Sequence, residues 1–294
     1  MLRLAVTTRA ETFERMQSPL SDRGIAVDHL ETRERAISIE RGPNAFDSAQ
    51  FDVGFVYPPR LAEGGVADAL LSIPWINGRE QVLRSRNKGE TLARLADAGL
   101  PTPRTHFISN PVTQSELRTV FEEFEGPVVV KPNNTTRGVG VARADDLDSF
   151  LGICDYLSLV HDYRATGDRS FIVQEFLPDV VDFRVMVVDG TVAGAVKREL
   201  PKSRQTAGQW KHNVHRGATA TGVDLSKDHR KLAERVASVL DIPWLGVDLL
   251  VTPEEVVVNE TNARPTIDEE TKYKEGFWDA VAALVRNHAK NDHS

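Results

Sequence analysis

Short apolar runs alternate with polar stretches over the first third of the chain. "LRLAVT" (2–7), "IAVDHL" (25–30) and "DVGFVY" (52–57) predict strands, and 10–22 and 60–71 predict helices between them. That alternation predicts a small parallel α/β unit. The stretch "IPWINGREQVLRSRNKGETLARLADAGLPTPRT" then changes character. Asn87 caps a helix over 88–98, Gly99 stops it, and Pro101 and Pro103 make an extended linker. A helix near 113–124 and the strand run "VVVK" follow. Over 145–162 the spacing of three and four residues predicts a further helix. Strands are predicted at 171–176, 183–190 and 192–199, with Asp189-Gly190 as a hairpin turn. The polar stretch 201–219 has no periodicity and reads as a long loop of the kind that serves as a lid. An amphipathic helix capped by Ser226 is predicted over 225–242, a strand pair at 245–251 and 255–260, and a closing helix near 275–289. There is no internal repeat.

The chain has 294 residues, room for two or three small domains, and is 40% hydrophobic and 27% charged, the balance of a soluble globular protein. A net charge of −7 argues against a general nucleic-acid or membrane-surface binder. A single cysteine, Cys154, excludes an internal disulfide and suits a reducing cytoplasm. The opening "MLRLAVTTRAETFERMQ" lacks the apolar region of a signal peptide, and no run approaches the roughly 20 residues of a membrane span. The expectation is a cytoplasmic protein without nucleic-acid or membrane partners.

Two stretches carry chemistry. In "VVVKPNNTTRGVGV" (128–141) a β-branched run ends at Lys131 and meets a loop containing Arg137, Gly138 and Gly140. Glycines let backbone approach a ligand, and a lysine beside them is a point charge suited to phosphate. The same letters also fit a plain hairpin with a solvated lysine. In "GVDLLVTPEEVVVNETN" Glu260 and Asn262 share one strand face, and Asp248 sits on the preceding strand among apolar neighbours. Two carboxylates and an amide oxygen form a hard-oxygen site for magnesium or manganese. The other reading is an edge strand with its acids in water, against which the apolar run around Asp248 counts. The chain has no G-x-x-x-x-G-K-[ST] loop, no complete dinucleotide fingerprint, no kinase motif set and no H-E-x-x-H zinc motif. His212 and His215 read as hydrogen-bonding residues of the 201–219 loop rather than metal ligands.

Taken in order, "VVVKPNNTTRGVGV", "FIVQEFLP", "VDFRVMVVDG", "WKHNVHRGA", "LGVDLL" and "VNETNARP" resemble the ATP-grasp superfamily and, within it, the RimK-like glutamate ligases. The resemblance covers roughly 75–290. It implies an α/β (α+β) ATP-grasp fold: a pre-ATP-grasp α/β domain over 1–87, a central subdomain with the phosphate loop over 88–174, and a C-terminal subdomain with the metal site over 175–294. It implies that Lys88 and Lys131 contact the phosphates of ATP and that the loop 134–140, with Arg137, Gly138 and Gly140, closes over them. By the same carry-over Glu175 and Phe176 hold adenine and Asp182 reaches the ribose. Arg184 lies near the reacting acyl phosphate, with Lys131 and Asn213 also catalytic. Lys211, His212 and Asn213 line the lid, and Asp248, Glu260 and Asn262 bind two Mg2+ or Mn2+ ions. The chain departs from the family pattern at Phe176, often tyrosine, at Lys211, often arginine, and at Thr266, usually glycine.

The implied activity is ATP-dependent carboxylate–amine ligation through an acyl phosphate, with L-glutamate or a similar amino acid added to the carboxylate of a protein tail, peptide or small cofactor. The alternatives are another ATP-grasp ligase, glutathione-synthase-like or acting on an amino-group carrier, and a non-catalytic nucleotide-binding protein. A homo-oligomer is a family expectation.

Overall fold

In a computed structural model of the chain the residues described are 1–8, 11–40, 46, 50–135, 138–161, 168–201, 203, 208–211, 217–269 and 272–290. Among them the chain forms three sheets, each built from segments adjacent in sequence.

The first sheet has the order β2-β1-β3-β4, from β1 (Leu2–Val6), β2 (Ile25–His29), β3 (Val53–Phe55) and β4 (Trp75–Ile76), all parallel. Helices α1 (Glu11–Ser21) and α2 (Leu61–Leu71) connect its strands. This is the expected parallel unit, with β4 added. Asn77 fastens its end to the rest of the molecule. Its amide donates to the carbonyls of Trp244 (2.5 Å) and Ala263 (2.7 Å) and accepts from Trp244 N (3.2 Å). A buried polar side chain is retained when every group it carries is satisfied, as here.

Helix α3 (Arg79–Arg86), which the sequence pattern did not reveal, leads into α4 (Lys88–Asp97). Asn87 caps α4 by accepting from Glu90 N at 3.0 Å, and Gly99 stops it at φ 68°, both as expected. The second sheet has the order β5-β8-β6-β7, from β5 (Thr105–Ser109), β6 (Val128–Pro132), β7 (Ala142–Ala144) and β8 (Ser170–Glu175), all antiparallel. Strand β5 follows the proline linker and lies on an edge, where its weak apolar pattern gave no signal. Helices α5 (Gln114–Glu122) and α6 (Leu147–His161) cover one face. Val128, Val130, Phe150, Leu151, Phe171 and Val173 form its core.

The third sheet has the order β11-β10-β9-β12-β13, from β9 (Val181–Val188), β10 (Thr191–Glu199), β11 (Thr219–Gly222), β12 (Trp244–Val251) and β13 (Val256–Asn262). The β9–β10 turn is Asp189-Gly190, both at positive φ (48° and 75°), as the dipeptide predicts. Period-two patterning gives this sheet two unlike faces. Val185, Val187, Leu245, Val247 and Leu249 are fully buried on one, against α7 (Lys227–Leu240) and α8 (Phe277–Lys290). Helix α7 buries Leu232, Ala233, Val236, Ala237 and Leu240 at helical spacing, and Ser226 caps it by accepting from His229 N at 3.2 Å. Burying each large aliphatic side chain contributes about 1.5–3 kcal/mol. The other face carries the charges described next. Most of the expected lid, 201–219, lies outside the described residues. No helix among the described residues is long and apolar enough to cross a membrane.

Candidate active site

The charged face follows from strand register. Directly opposed residues in an antiparallel pair point to the same side. Arg184 of β9 lies opposite Asp248 of β12, which lies opposite Glu260 of β13. Asn262 is two residues along from Glu260, opposite Gly246. The three residues expected to bind metal are therefore adjacent on one surface.

A bulge in β13 places Asn259 as an extra residue between the pairs Asp248–Glu260 and Leu249–Val258. Asn259 reaches across to the second sheet, where its Oδ1 accepts from Lys131 Nζ at 2.8 Å. Lys131 also donates to Gln174 Oε1, and Gln174 Nε2 donates in turn to Thr105 Oγ1 at 3.0 Å. Lys131 is 9% exposed. Burial pushes its ammonium down to about 8, with the Lys88 charge adding to that and Glu260, Asp248 and Asp182 opposing it.

Lys88, the first residue of α4, lies between the sheets. Its Nζ donates to the Thr135 carbonyl and stands 3.9 Å from Glu260 Oε1. Asn133 ties this corner together. Its Oδ1 accepts from Gly89 N at 2.9 Å, its Nδ2 donates to Asn87 Oδ1 at 2.9 Å, and its carbonyl accepts from Lys88 N at 3.3 Å. The glycine loop thus hangs from the N-terminus of α4, an end that favours anions. Gly138 and Gly140 have φ of 66° and 73°, the conformation that called for glycine. A β-carbon on Gly140 would lie 2.8 Å from Pro132 Cγ. Arg137 lies outside the described residues.

At the hinge between the sheets, Glu175 Oε1 accepts from Arg104 N at 2.6 Å. The Phe176 ring carries the Arg143 guanidinium 4.1 Å from its centroid and meets Trp210 edge-on at 5.7 Å. Lys211 Nζ donates to the Val141 carbonyl, joining the segment after Trp210 to the glycine loop. His212, Asn213 and His215 lie outside the described residues.

Two expected site residues stand in ion pairs that the sequence did not reveal. Asp182 is buried, and its Oδ1 accepts from Arg198 Nε (3.0 Å) and Nη2 (2.6 Å). Arg184 grips Asp248 side-on, Nε to Oδ1 at 2.7 Å and Nη2 to Oδ2 at 2.8 Å, and Arg198 Nη2 adds a contact to Oδ2 at 2.9 Å. Burial raises both carboxyls. For Asp182 it prevails over Arg198, with Asp248 adding to the rise, and the group sits near 6. For Asp248 the paired guanidinium groups outweigh burial and hold it at about 2.

Asp248, Glu260 and Asn262 nonetheless fit a divalent cation. All are oxygen donors, Asp248 is held ionised, and Glu260 accepts no hydrogen bond among the described residues, having only Lys88 at 3.9 Å. Guanidinium charge now meets Asp248 where a metal charge would. Asn262 Oδ1 accepts from Arg264 N at 2.8 Å, which fixes the turn after β13. Among the described residues no three His, Cys, Asp or Glu side chains converge in a metal-ligating group.

Sequence reasoning missed Gln174, Asn259 and Arg198. Arg198 was legible in principle, as a guanidinium inside a half-buried strand that needed a carboxylate.

The RimK-like ATP-grasp domain family matches residues 85–281. A probable alpha-L-glutamate ligase of Psychromonas ingrahamii is 29% identical over 230 residues, 74% of this chain and 69% of that protein. The chain spans 65% and 60% of two further relatives bearing the same description. In fold, it resembles the RimK domain ATP-grasp protein of Sphaerobacter thermophilus (TM-score 0.68, 21% identity, 98% and 99% of the two chains). It also resembles the ATP-grasp ligase PsnB complexed with a phosphomimetic variant of its minimal precursor, Mg and ADP (TM-score 0.66, 16% identity, 98% of each chain). With the family matched over most of its length, the chain belongs to the RimK-like ATP-grasp family.

Proposed function

We propose that the chain is an ADP-forming carboxylate–amine ligase that adds L-glutamate or a similar amino acid to a carboxylate on a protein tail, peptide or small molecule. The observation that carries this reading is the meeting, between two sheets, of Lys88 and Lys131 with the Asp248–Glu260–Asn262 surface. Cations and metal-suited oxygens on facing walls are what a bound nucleoside triphosphate requires. The relatives' shared description supports glutamate as the amino acid.

In this reading Lys88, Lys131, Arg137 and the backbone of the loop holding Gly138 and Gly140 bind the phosphates of ATP. Glu175 and Phe176 flank adenine, and Lys211, His212 and Asn213 close the lid side. Asp248, Glu260 and Asn262 would hold two magnesium or manganese ions, which when bound neutralise phosphate charge. Asp182, paired with Arg198 through one carboxylate oxygen, reaches the ribose side. Residues 1–87, 88–174 and 175–294 act as the pre-grasp, central and C-terminal units, and ATP supply places the enzyme in the cytoplasm, singly or as a homo-oligomer.

A carboxylate does not condense with an amine directly, because its oxygen is a poor leaving group. A carboxylate oxygen of the acceptor attacks the γ-phosphorus of ATP, the bond to the β-phosphate oxygen breaks, and ADP leaves. The amine nitrogen then attacks the acyl carbon, phosphate leaves with the carboxylate oxygen, and the amine proton passes to solvent. Arg184, freed from Asp248, neutralises charge developing on the acyl phosphate, and Lys131 holds the transferring group in line. The test is nucleotide chromatography after incubation with ATP, magnesium, L-glutamate and a panel of acidic peptides. Acceptor-dependent ADP is expected, and AMP as the main product would overturn the reading.

A further inference from the structure

Ser85 of α3 is buried, and its hydroxyl reaches out of its own helix to β13. Its Oγ accepts from Ala263 N at 3.0 Å and shares a hydrogen bond of 3.1 Å with Thr261 Oγ1. A serine inside a helix commonly bonds back to a carbonyl one turn earlier. Ser85 makes no such bond among the described residues, and both of its side-chain contacts cross to another element. Thr261 and Ala263 stand on either side of Asn262, and Thr261 directly follows Glu260. Strand alternation turns Thr261 away from the charged face, so Ser85 grips β13 from the side opposite its oxygen donors.

The rest of the neighbourhood makes this grip a rigid one. The Ala263 carbonyl accepts from Asn77 Nδ2 at 2.7 Å, and Asn77 also holds Trp244, the first residue of β12. The end of β13 is thus fixed at amide and carbonyl by side chains of one short segment, 77–85. The Asn262 side chain is fixed in turn, since its Oδ1 accepts from Arg264 N at 2.8 Å. Ser85 is tied as closely to the phosphate lysine. Only Arg86 and Asn87 separate it from Lys88, and Thr91 Oγ1 donates to the Arg84 carbonyl at 2.8 Å, clasping α4 to α3. Ser85, Lys88, Thr91, Glu260 and Thr261 line one narrow crevice with no room for a water molecule, so direct contacts set the spacing between helix and strand.

We infer that Ser85 is a positioning residue for the metal surface. It sets the backbone that carries Glu260 and Asn262, and it fixes their reach from Lys88. The inference rests on the reading of Asp248, Glu260 and Asn262 as metal ligands, and Ser85 itself touches neither ion nor nucleotide. A magnesium ion demands near-octahedral oxygens at about 2.0–2.1 Å, so its ligands must be held in place before it arrives. Without the Ser85 oxygen the Ala263 amide loses its acceptor and the Thr261 hydroxyl its partner. Both must shift to find others, and Asn262 between them shifts too.

The test reads metal binding without turnover. Manganese is titrated into the protein with saturating ADP, and the bound ion is followed by its effect on water-proton relaxation against a protein-free blank. Ser85→Ala should bind manganese about tenfold more weakly than the parent. Thr261→Val keeps the volume but loses the hydroxyl, and it should weaken binding in the same direction. Thr261→Ser keeps the hydroxyl and should bind like the parent. Ser226→Ala, which removes the cap of α7, is the control: its melting temperature should fall while its manganese affinity stays at the parent value. Parent-like affinity in Ser85→Ala, or equal weakening in Ser226→Ala, would reduce Ser85 to a hydrogen bond of the fold and overturn the inference. If Ser85→Ala does not fold, the Thr261 pair decides, and equal affinity in Thr261→Val and Thr261→Ser overturns it. A parent that binds no manganese fails the metal reading itself and takes the positioning role with it, so the two failures are told apart.

Discussion

Lys131 of the second sheet donates to Asn259 of the third at 2.8 Å, so the lysine at the end of "VVVK" joins the two walls of the cleft. The strand-turn-strand of 128–144 is a hairpin, as one reading of the letters had it. Its lysine is nevertheless buried and held by Gln174 and Asn259, which removes the solvated half of that reading.

Lys131→Met should therefore weaken ATP binding by about 1.5–3 kcal/mol, the worth of a charge-assisted phosphate contact. It should also lower the melting temperature, because the amide oxygens of Gln174 and Asn259 lose their donor, a loss of about 1–3 kcal/mol. Calorimetry with ATP and a thermal melt check both. Unchanged ATP affinity would remove Lys131 from the nucleotide site.

Asp182→Asn should stabilise the protein at neutral pH. Burial raises the Asp182 carboxyl to about 6, above the usual carboxylate value, so the folded state holds its proton more tightly than the unfolded chain. That contribution is complete below about pH 4 and is lost as pH rises through 6. The variant carries no such loss. Its melting temperature should exceed that of the parent at pH 7.5 and approach it at pH 4. A gain that is constant across this range, or a loss at pH 7.5, would contradict the assignment.

Local signals in the sequence proved legible because they act over a few residues. Asn87 and Ser226 cap their helices, Asp189-Gly190 makes its hairpin, and Gly138 and Gly140 take positive φ. The co-facial set Asp248, Glu260 and Asn262 was also legible, since period-two spacing and a short connection fix it. What the letters concealed depends on contacts far apart in the chain. Asn259 reaches Lys131 only because a bulge re-aims it, and Arg184 and Arg198 meet Asp248 only through strand register. Helix α3 and strand β5 are short, lack clear periodicity and take their form from their neighbours.

Gly140→Ala should impair the glycine loop. The residue has φ 73° and its new methyl group would lie 2.8 Å from Pro132 Cγ, a strain of about 1–3 kcal/mol. The KM for ATP should rise several-fold. Gly126→Ala, where a methyl group would meet nothing within 4 Å, is the control and should behave as the parent. Equal KM values in the two variants would show that the loop does not touch ATP.

Glu260→Gln should reduce magnesium-dependent ADP release more than Asn262→Ala. The first change removes a charge from the proposed metal surface, and the second removes one neutral oxygen along with the 2.8 Å contact to Arg264 N. Both variants should fold, as thermal melts would show. ADP release by Glu260→Gln at the parent rate would exclude the metal site.

The central claim is transfer of phosphate to a carboxylate oxygen, and isotope transfer tests it most directly. An acidic acceptor peptide with 18O in its carboxylates is incubated with ATP, magnesium and L-glutamate, and the phosphate released is weighed by mass spectrometry. Acyl-phosphate chemistry sends one acceptor oxygen into each phosphate, so singly labelled phosphate equal in amount to ADP is the expected result. Unlabelled phosphate, or AMP with labelled nucleotide, would contradict it.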